Sequence, residues 1–394
     1  MVPYGERKVK LNVDGVLLSG ASVAPSSPLG ELVEESLRLP VKSKRVEELD
    51  GGSAVILVDD YTRTTPVREI LPVVLERLKV DGDVSVVVAS GTHRKMSEEE
   101  LKKKIGEVYW ELPVFQHDPD ERLVFLGETS RGTPVWINEL AARADVLVSI
   151  GSVAPHNFYG WSGGAKIVLP GVAGRESISC NHKLAEHPDA RLGNPESPAR
   201  LDAEEAAKKL RTFFSINVVK NVRSEVVHVS SGDVVAAHRA AVEVAMRVIG
   251  VKAPWASDVT IVSSHPYDND LWQAGKALFS AANITREGGT IILLSPMREG
   301  VCVHYPQFER LLSLPPEEIS KEAASAPLEA TVALQIKRMQ ERFNCIIISD
   351  GVTGEQAERM GFKWFSSPQE AIDQSLKRNG RVTVIPNQLI YPYR

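Results

Sequence analysis

The stretch Ala54-Val55-Ile56-Leu57-Val58 carries no polar residue on either face. A β-strand points successive side chains to opposite faces, so an unbroken apolar run needs cover on both. Parallel sheets flanked by helices provide that cover. The run ends in Asp59-Asp60-Tyr61-Thr62-Arg63-Thr64-Thr65-Pro66, and Val67, Ile70, Leu71, Val74, Leu75 and Leu78 follow at helical spacing. Thr65 is placed to cap this helix, with Pro66 at its first position. A second apolar run, residues 84–89, ends in Ser90-Gly91-Thr92-His93-Arg94, and Ser97 with Glu100 has the pattern of a capping box. Shorter strands are expected at 114–116, 124–126 and 135–137, then at 146–150.

Strand, polar loop and helix in alternation predict an α/β fold. Ligands of such folds sit beyond the carboxyl ends of the strands. Asp60 to Arg63, His93 and His156 each follow such an end, so three polar clusters are expected on one edge of one sheet. Downstream, the pattern predicts a helix over 199–210, strands at 214–219 and 226–229, and a helix over 234–249 capped by Gly250. Lys252-Ala253-Pro254-Trp255 reads as a linker. A second α/β unit follows, with strands near 259–262, 290–294, 345–349 and 381–385 and a long helix at 329–343. The expectation is two domains, 1–250 and 251–385, each with a mainly parallel or mixed sheet flanked by helices. The active site is expected in the cleft between them, and a tail, 386–394, could return to the first domain.

The 394 residues carry a net charge of −5, which disfavours a nucleic-acid partner. No apolar run reaches the length of a membrane span, and the first residues lack the apolar core of a signal peptide. Three scattered cysteines, Cys180, Cys302 and Cys345, suit a reducing cytoplasm.

The densest run of unusual residues is 149–182, rich in Gly, Ser and Pro, which reads as a long functional loop. Gly160-Trp161-Ser162-Gly163-Gly164-Ala165-Lys166 resembles a P-loop only superficially. Ala165 replaces the glycine before the lysine and Ile167 the hydroxyl residue after it. Its Gly163-Gly164 turn could hold one phosphate, or it is a tight turn with a solvated lysine. His93 and His156 are candidates for proton transfer, because imidazole titrates near neutral pH. His117, His187, His228, His238 and His304 have the ordinary reading of hydrogen-bonding residues. Arg63 can match a carboxylate with two parallel bonds, or it pairs with Asp59 or Asp60. Gln273 and Lys276 share one face of a helix start. Cys180 with His182 could form a metal pair, although an inert thiol is the commoner case. Trp161 and Cys180 have packing readings only.

Taken together these motifs resemble the nickel-pincer lactate racemase family. The resemblance spans most of the chain. It rests on Asp59 to Pro66, on Ser90 to Arg94, on Pro155-His156 through Lys166, Leu169-Pro170-Gly171 and His182, and on Leu271-Trp272-Gln273-Ala274-Gly275-Lys276. It implies inversion of C2 of a 2-hydroxy acid by reversible hydride transfer. The implied cofactor is nickel in a pyridinium-3,5-bisthiocarboxylic acid mononucleotide, attached covalently at Lys166. His182 would be a nickel ligand and His93 and His156 the acid–base pair. Arg63, Gln273, Lys276 and Trp272 would bind substrate. Asp60, Thr62, Gly163 and Gly164 would lie at the cofactor. Cofactor-biosynthesis proteins are implied partners. Trp272 stands where the family pattern leads one to expect tyrosine, and His265 where it leads one to expect a small residue. Lactate is therefore one candidate beside malate, longer or aromatic 2-hydroxy acids and sugar acids. An oxidoreductase using the same cofactor, and a binding protein for a carboxylate or nucleotide, are the competing readings.

Overall fold

The computed structural model describes residues 1–394 except 22, 304, 323–326 and 377–378. His304 therefore lies outside the described residues. The chain forms two compact units, Ser22–Val248 and Met1–Ala21 with Ile249–Arg394.

The Ser22–Val248 unit is built on a six-stranded sheet. Its order is Val226–Asp233, Thr212–Lys220, Val146–Val153, Ala54–Asp59, Val84–Ala89 and Val114–Gln116. All neighbours are parallel except the first pair. The apolar run behaves as its composition requires, with residues 54–58 buried throughout. Val67, Ile70, Leu71 and Val74 of the next helix share one core cluster with Ile56, Val58, Val86 and Val88. The Ser97–Glu100 capping box forms as expected. Strands Leu123–Glu128 and Pro134–Asn138 pair with each other as a separate antiparallel hairpin.

The Met1–Ala21 and Ile249–Arg394 unit has a second, wholly parallel sheet. Its order is Lys363–Trp364, Asn344–Ile348, Thr285–Leu294, Ser257–Ser263, Val382–Ile385 and Val16–Leu17. The expected domain limits are corrected here. Val16–Leu17 pairs with Thr383–Val384, which draws the first residues into the C-terminal unit. The tail strand Tyr391–Tyr393 pairs with Gly250–Lys252 and stays in that unit instead of returning to the first. Gly250 accordingly opens a strand instead of capping a helix. Among the described residues no helix is long and apolar enough to cross a membrane.

Candidate active site

Strands 54–59, 84–89 and 146–153 are adjacent and parallel, so their carboxyl ends share one edge. The three polar clusters meet there. Asp60 is buried and accepts from the Thr62 amide at 2.9 Å and the Thr62 hydroxyl at 2.5 Å. Its other oxygen lies 2.5 Å from His93 Nδ1. Burial works to raise the Asp60 pKa, but the hydrogen bond and charge of His93, the charge of Arg63 and the Thr62 hydroxyl outweigh it. The carboxyl stays well below the usual range and is ionised. A carboxylate can only accept, so His93 Nδ1 carries a proton and Nε2 is the nitrogen left to work.

His156 has the opposite arrangement. It lies in a two-strand hairpin, Pro155–His156 with Gly160–Trp161, just past the 146–153 strand. Its Nδ1 accepts from the amides of Phe158 at 3.1 Å and Tyr159 at 3.4 Å. The neutral ring therefore carries its proton on Nε2.

The run 149–182 is more ordered than a long loop. The strand continues to Val153, Gly164–Ile167 forms a 3₁₀ turn and Arg175–Lys183 an α-helix. His182 is thus a helix residue. It is buried, and its Nδ1 donates to the Ile178 carbonyl at 2.7 Å, which makes Nε2 the lone-pair nitrogen. Burial pushes this imidazole down to about 4; the Ile178 bond opposes the shift and the charges of Lys166 and His93 reinforce it. His182 is a neutral, oriented imidazole, the form that binds a metal such as Ni(II). Among the described residues no group of three or more His, Cys, Asp or Glu is arranged to hold a metal ion. One imidazole can be one ligand, and the remainder would have to come from the bound group.

Lys166 is half-buried on the 3₁₀ turn, with Nζ 5.1 Å from the centre of the Tyr159 ring. Gly163 and Gly164 both have positive φ, +79° and +55°. A Cβ on Gly164 would stand 2.9 Å from that of His238, so the turn needs glycine twice over. Residues with no sequence signal hold this turn. Arg200, fully buried, donates to the Gly163 carbonyl at 2.9 Å and to that of Trp161. Asn217 accepts from the Gly164 amide at 2.8 Å, and His238 Nε2 donates to the Ser162 carbonyl at 2.9 Å. Trp161 is buried and donates to the Gly193 carbonyl at 2.9 Å. The Tyr159 hydroxyl donates to Asn181, which in turn donates to Asp202 at 2.8 Å. That chain ties the His156 hairpin to the helix of His182. Cys180 is a half-buried thiol whose pKa burial raises, the behaviour of an inert group.

Thr65 does not cap the following helix. Its hydroxyl bonds Asp59 and, at 2.9 Å, Ser152. Lys104 pairs with Asp59 at 2.5 Å and donates to the Arg63 carbonyl at 2.9 Å. Arg63 pairs with neither aspartate, both being engaged elsewhere, so a half-buried guanidinium stands without a carboxylate among the described residues.

On the other unit, Asp270 accepts from the Gln273 amide at 2.8 Å, and Lys276 Nζ donates to Gln273 Oε1 at 2.6 Å. The shared face expected for these two is real. Trp272 packs on Tyr305 with ring centres 4.2 Å apart and meets Phe308 edge-on at 4.9 Å.

Among the histidines with ordinary readings, His117 is buried and donates from Nε2 to the Ala173 carbonyl at 2.9 Å. Burial lowers its pKa to about 4, against smaller opposing effects from Ala173, Asp118 and Asp120. The folded pKa lies below the unfolded one, so the unfolded chain binds more protons in between. The stability this contributes is complete above pH 6.5 and is lost as pH falls towards 4; at 1.36 kcal/mol per pH unit it is worth roughly 3 kcal/mol. His117→Gln keeps a donor for Ala173 without the titration. Denaturant midpoints at pH 7 and pH 4.5 are expected to differ less in this variant than in the wild type.

Fold and site place the chain among α/β proteins that work at the carboxyl ends of their strands. Comparison with known proteins narrows the class. The family model for the lactate racemase N-terminal domain matches residues 4–193, and that for the lactate racemase C-terminal domain matches residues 252–390. Lactate racemase of Lactiplantibacillus plantarum is 31% identical, with 98% of each chain covered. Lactate racemase of Thermoanaerobacterium thermosaccharolyticum is 29% identical, covering 98% of this chain and 97% of the relative. The solved lactate racemase apoprotein from T. thermosaccharolyticum superposes with a TM-score of 0.90 at 26% identity, covering 100% of this chain and 99% of that one. A structure from Thermotoga maritima shares the fold, with a TM-score of 0.70 at 22% identity over 92% of this chain and 97% of its own. The chain belongs to the lactate racemase family and is an isomerase of that family.

Proposed function

We propose that this chain inverts C2 of a 2-hydroxy acid, lactate or a related acid, using a nickel-pincer pyridinium mononucleotide attached at Lys166. The observation that carries the reading is the opposed setting of two histidines. His93 is held by the Asp60 carboxylate with Nε2 able to accept, and His156 by two backbone amides with Nε2 able to donate. A racemase needs one group that takes the hydroxyl proton and one that returns it, with the roles exchanged in the reverse direction.

When bound, the cofactor supplies the hydride acceptor that renders C2 planar; the protein supplies aim and proton transfer. His182 would offer Nε2 to nickel, its ring held by Ile178. Gly163 and Gly164 would let the backbone approach the cofactor. Asp60 and Thr62, engaged with one another and with His93, orient the base and keep it protonated on the remote nitrogen. The unpaired fork of Arg63 suits the substrate carboxylate. Gln273, Lys276 and Trp272 would take part in substrate binding, as the resemblance implies, and Gln273 and Lys276 are already bonded to each other. A cofactor of this chemistry requires cofactor-biosynthesis proteins to deliver it.

The test is protein isolated from cells that make the cofactor. The peptide containing Lys166 is expected to carry added mass, nickel to co-purify, and the loaded enzyme to interconvert the enantiomers of at least one 2-hydroxy acid. Active enzyme with an unmodified Lys166 would contradict the tether. Failure to invert any of a broad panel of 2-hydroxy acids would contradict the racemase reading.

A further inference from the structure

The Tyr159 side chain is wholly buried and touches two histidines. It meets His156 edge-on with ring centres 5.4 Å apart, and His182 edge-on at 6.1 Å. Its amide is one of the two that hold His156 Nδ1. Its hydroxyl donates to Oδ1 of Asn181, the residue before His182 on the helix Arg175–Lys183. Burial raises the Tyr159 pKa, with Arg200 opposing and Asp202 adding, so the phenol keeps the proton it donates. The Asn181 amide has one orientation. Its nitrogen donates to the Ala199 carbonyl at 3.0 Å and to the Asp202 carboxylate at 2.8 Å, which leaves Oδ1 to accept from Tyr159. Both of those acceptors belong to the helix Pro198–Ala207. Asp202 is buried in turn and accepts from the Thr129 hydroxyl at 2.5 Å. The bond from Tyr159 to Asn181 thus joins the carriers of His156 and His182 across 22 residues of sequence, and its far end is fixed on a third element.

We propose that Tyr159, through the bond from its hydroxyl to Asn181, is a positioning residue that sets His156 and His182 relative to each other. The inference rests on the racemase reading, in which His156 transfers a proton and His182 holds the metal. Those two groups must keep one separation in both directions of the reaction, and a misplacement of about 1 Å can cost about 10²-fold in rate. The other bonds of the two imidazoles do not set that separation. His156 Nδ1 is held by amides of its own hairpin and His182 Nδ1 by a carbonyl of its own helix. Such bonds orient each ring within its element and leave the two elements free of each other. Tyr159 is fixed to both, by its own backbone on one side and by Asn181 on the other.

The test compares full-length wild type with Tyr159→Phe, Asn181→Ala, the double variant and Thr129→Val. Tyr159→Phe keeps the ring and removes only the hydroxyl. In loaded enzyme it is expected to lower kcat by about ten- to a hundredfold, with KM within about twofold and the mass at Lys166 unchanged. Asn181→Ala is expected to lower kcat likewise, and the double variant to be no worse than the poorer single one, as for two ends of one bond. Thr129→Val removes a buried bond of the same network outside both histidine elements. It is expected to lower the thermal midpoint as much as Tyr159→Phe does, yet to leave kcat within about twofold. A second measurement needs no turnover. In protein without cofactor, carbethoxylation by diethyl pyrocarbonate, read by mass spectrometry, reports access to the lone-pair nitrogen of His182, with His265 of the other unit as reference. Tyr159→Phe is expected to speed labelling of His182 several-fold and to leave that of His265 unchanged. A wild type that racemises, with Tyr159→Phe unchanged in kcat and in labelling, overturns the proposal. A Thr129→Val variant that loses as much kcat as Tyr159→Phe overturns it too, because the bond would then serve the fold alone. A wild type that racemises nothing, while Tyr159→Phe still speeds His182 labelling, sinks the racemase reading and leaves the positioning standing.

Discussion

His93→Ala and His156→Ala are each expected to lower racemisation by a factor of about 10² to 10⁴, the usual value of a positioned acid or base. The loss should fall on kcat, with the mass at Lys166 and the nickel content unchanged. Asp60 and Tyr159, which touch the two imidazoles, are poorly placed to take over. Asp60 is an ionised carboxylate turned to His93 Nδ1, and Tyr159 is buried with its hydroxyl spent on Asn181. The two variants should differ in a second way. Asp60→Asn removes the charge and leaves one acceptor oxygen where Thr62 and His93 Nδ1–H need two, so it should damage activity nearly as much as His93→Ala. His156 is held by backbone amides, which no side-chain substitution removes. Steady-state rates for both enantiomers, with nickel and intact mass on the same samples, decide the matter. Full activity in either alanine variant would remove that residue from the pair.

Arg200→Met is expected to destabilise the Ser22–Val248 unit by about 3 kcal/mol and to abolish loading at Lys166. Losing the guanidinium takes a donor from the carbonyl of Trp161 and from that of Gly163, which keeps only the Lys166 amide at 3.3 Å; a lost buried bond costs about 1–3 kcal/mol, partly offset because a buried charge is no longer desolvated. Burial presses the Arg200 guanidinium down to about 10, with Glu204 opposing and Arg239 reinforcing. Arg200→Lys should rescue little, since a point ammonium cannot span two carbonyls as the fork does. Urea unfolding measures the first effect and intact mass the second. A variant as stable as wild type, with Lys166 normally loaded, would remove Arg200 from the support of the turn.

Much of this was legible in the chain before any coordinates. The two-sided apolar run at 54–58 demanded a covered parallel sheet, and the polar residues after each strand lay on its working edge because parallel strands share that edge. Asp60 to Arg63, His93 and His156 could be singled out by position after a strand, whereas Lys166 stood out only through the resemblance its motif carries. What lay beyond reach was set by long-range register. The Lys220 ammonium donates to the Thr64 hydroxyl only because the strand order puts 212–220 beside 146–153 and that strand beside 54–59. Arg200 and His238 sit on helices whose sequences do not say that they press against Gly163 and Gly164. Thr65 had the local look of a cap, but Asp59 and Ser152 compete for its hydroxyl and win. The C-terminal unit was misdivided for the same reason: nothing within 1–21 announces a partner at 383–384.

That last pairing has a bearing on how the protein is made. The parallel sheet closed by Val16–Leu17 needs its neighbour, Val382–Ile385, which leaves the ribosome more than 360 residues later. The Ser22–Val248 unit, continuous in sequence, can fold while the rest is still being translated, domains generally doing so as units. Val16–Leu17 must wait unpaired through nearly the whole of synthesis. A translation product cut short before residue 382 would therefore carry a finished Ser22–Val248 unit and a second sheet with an open edge, the kind of edge on which chains aggregate.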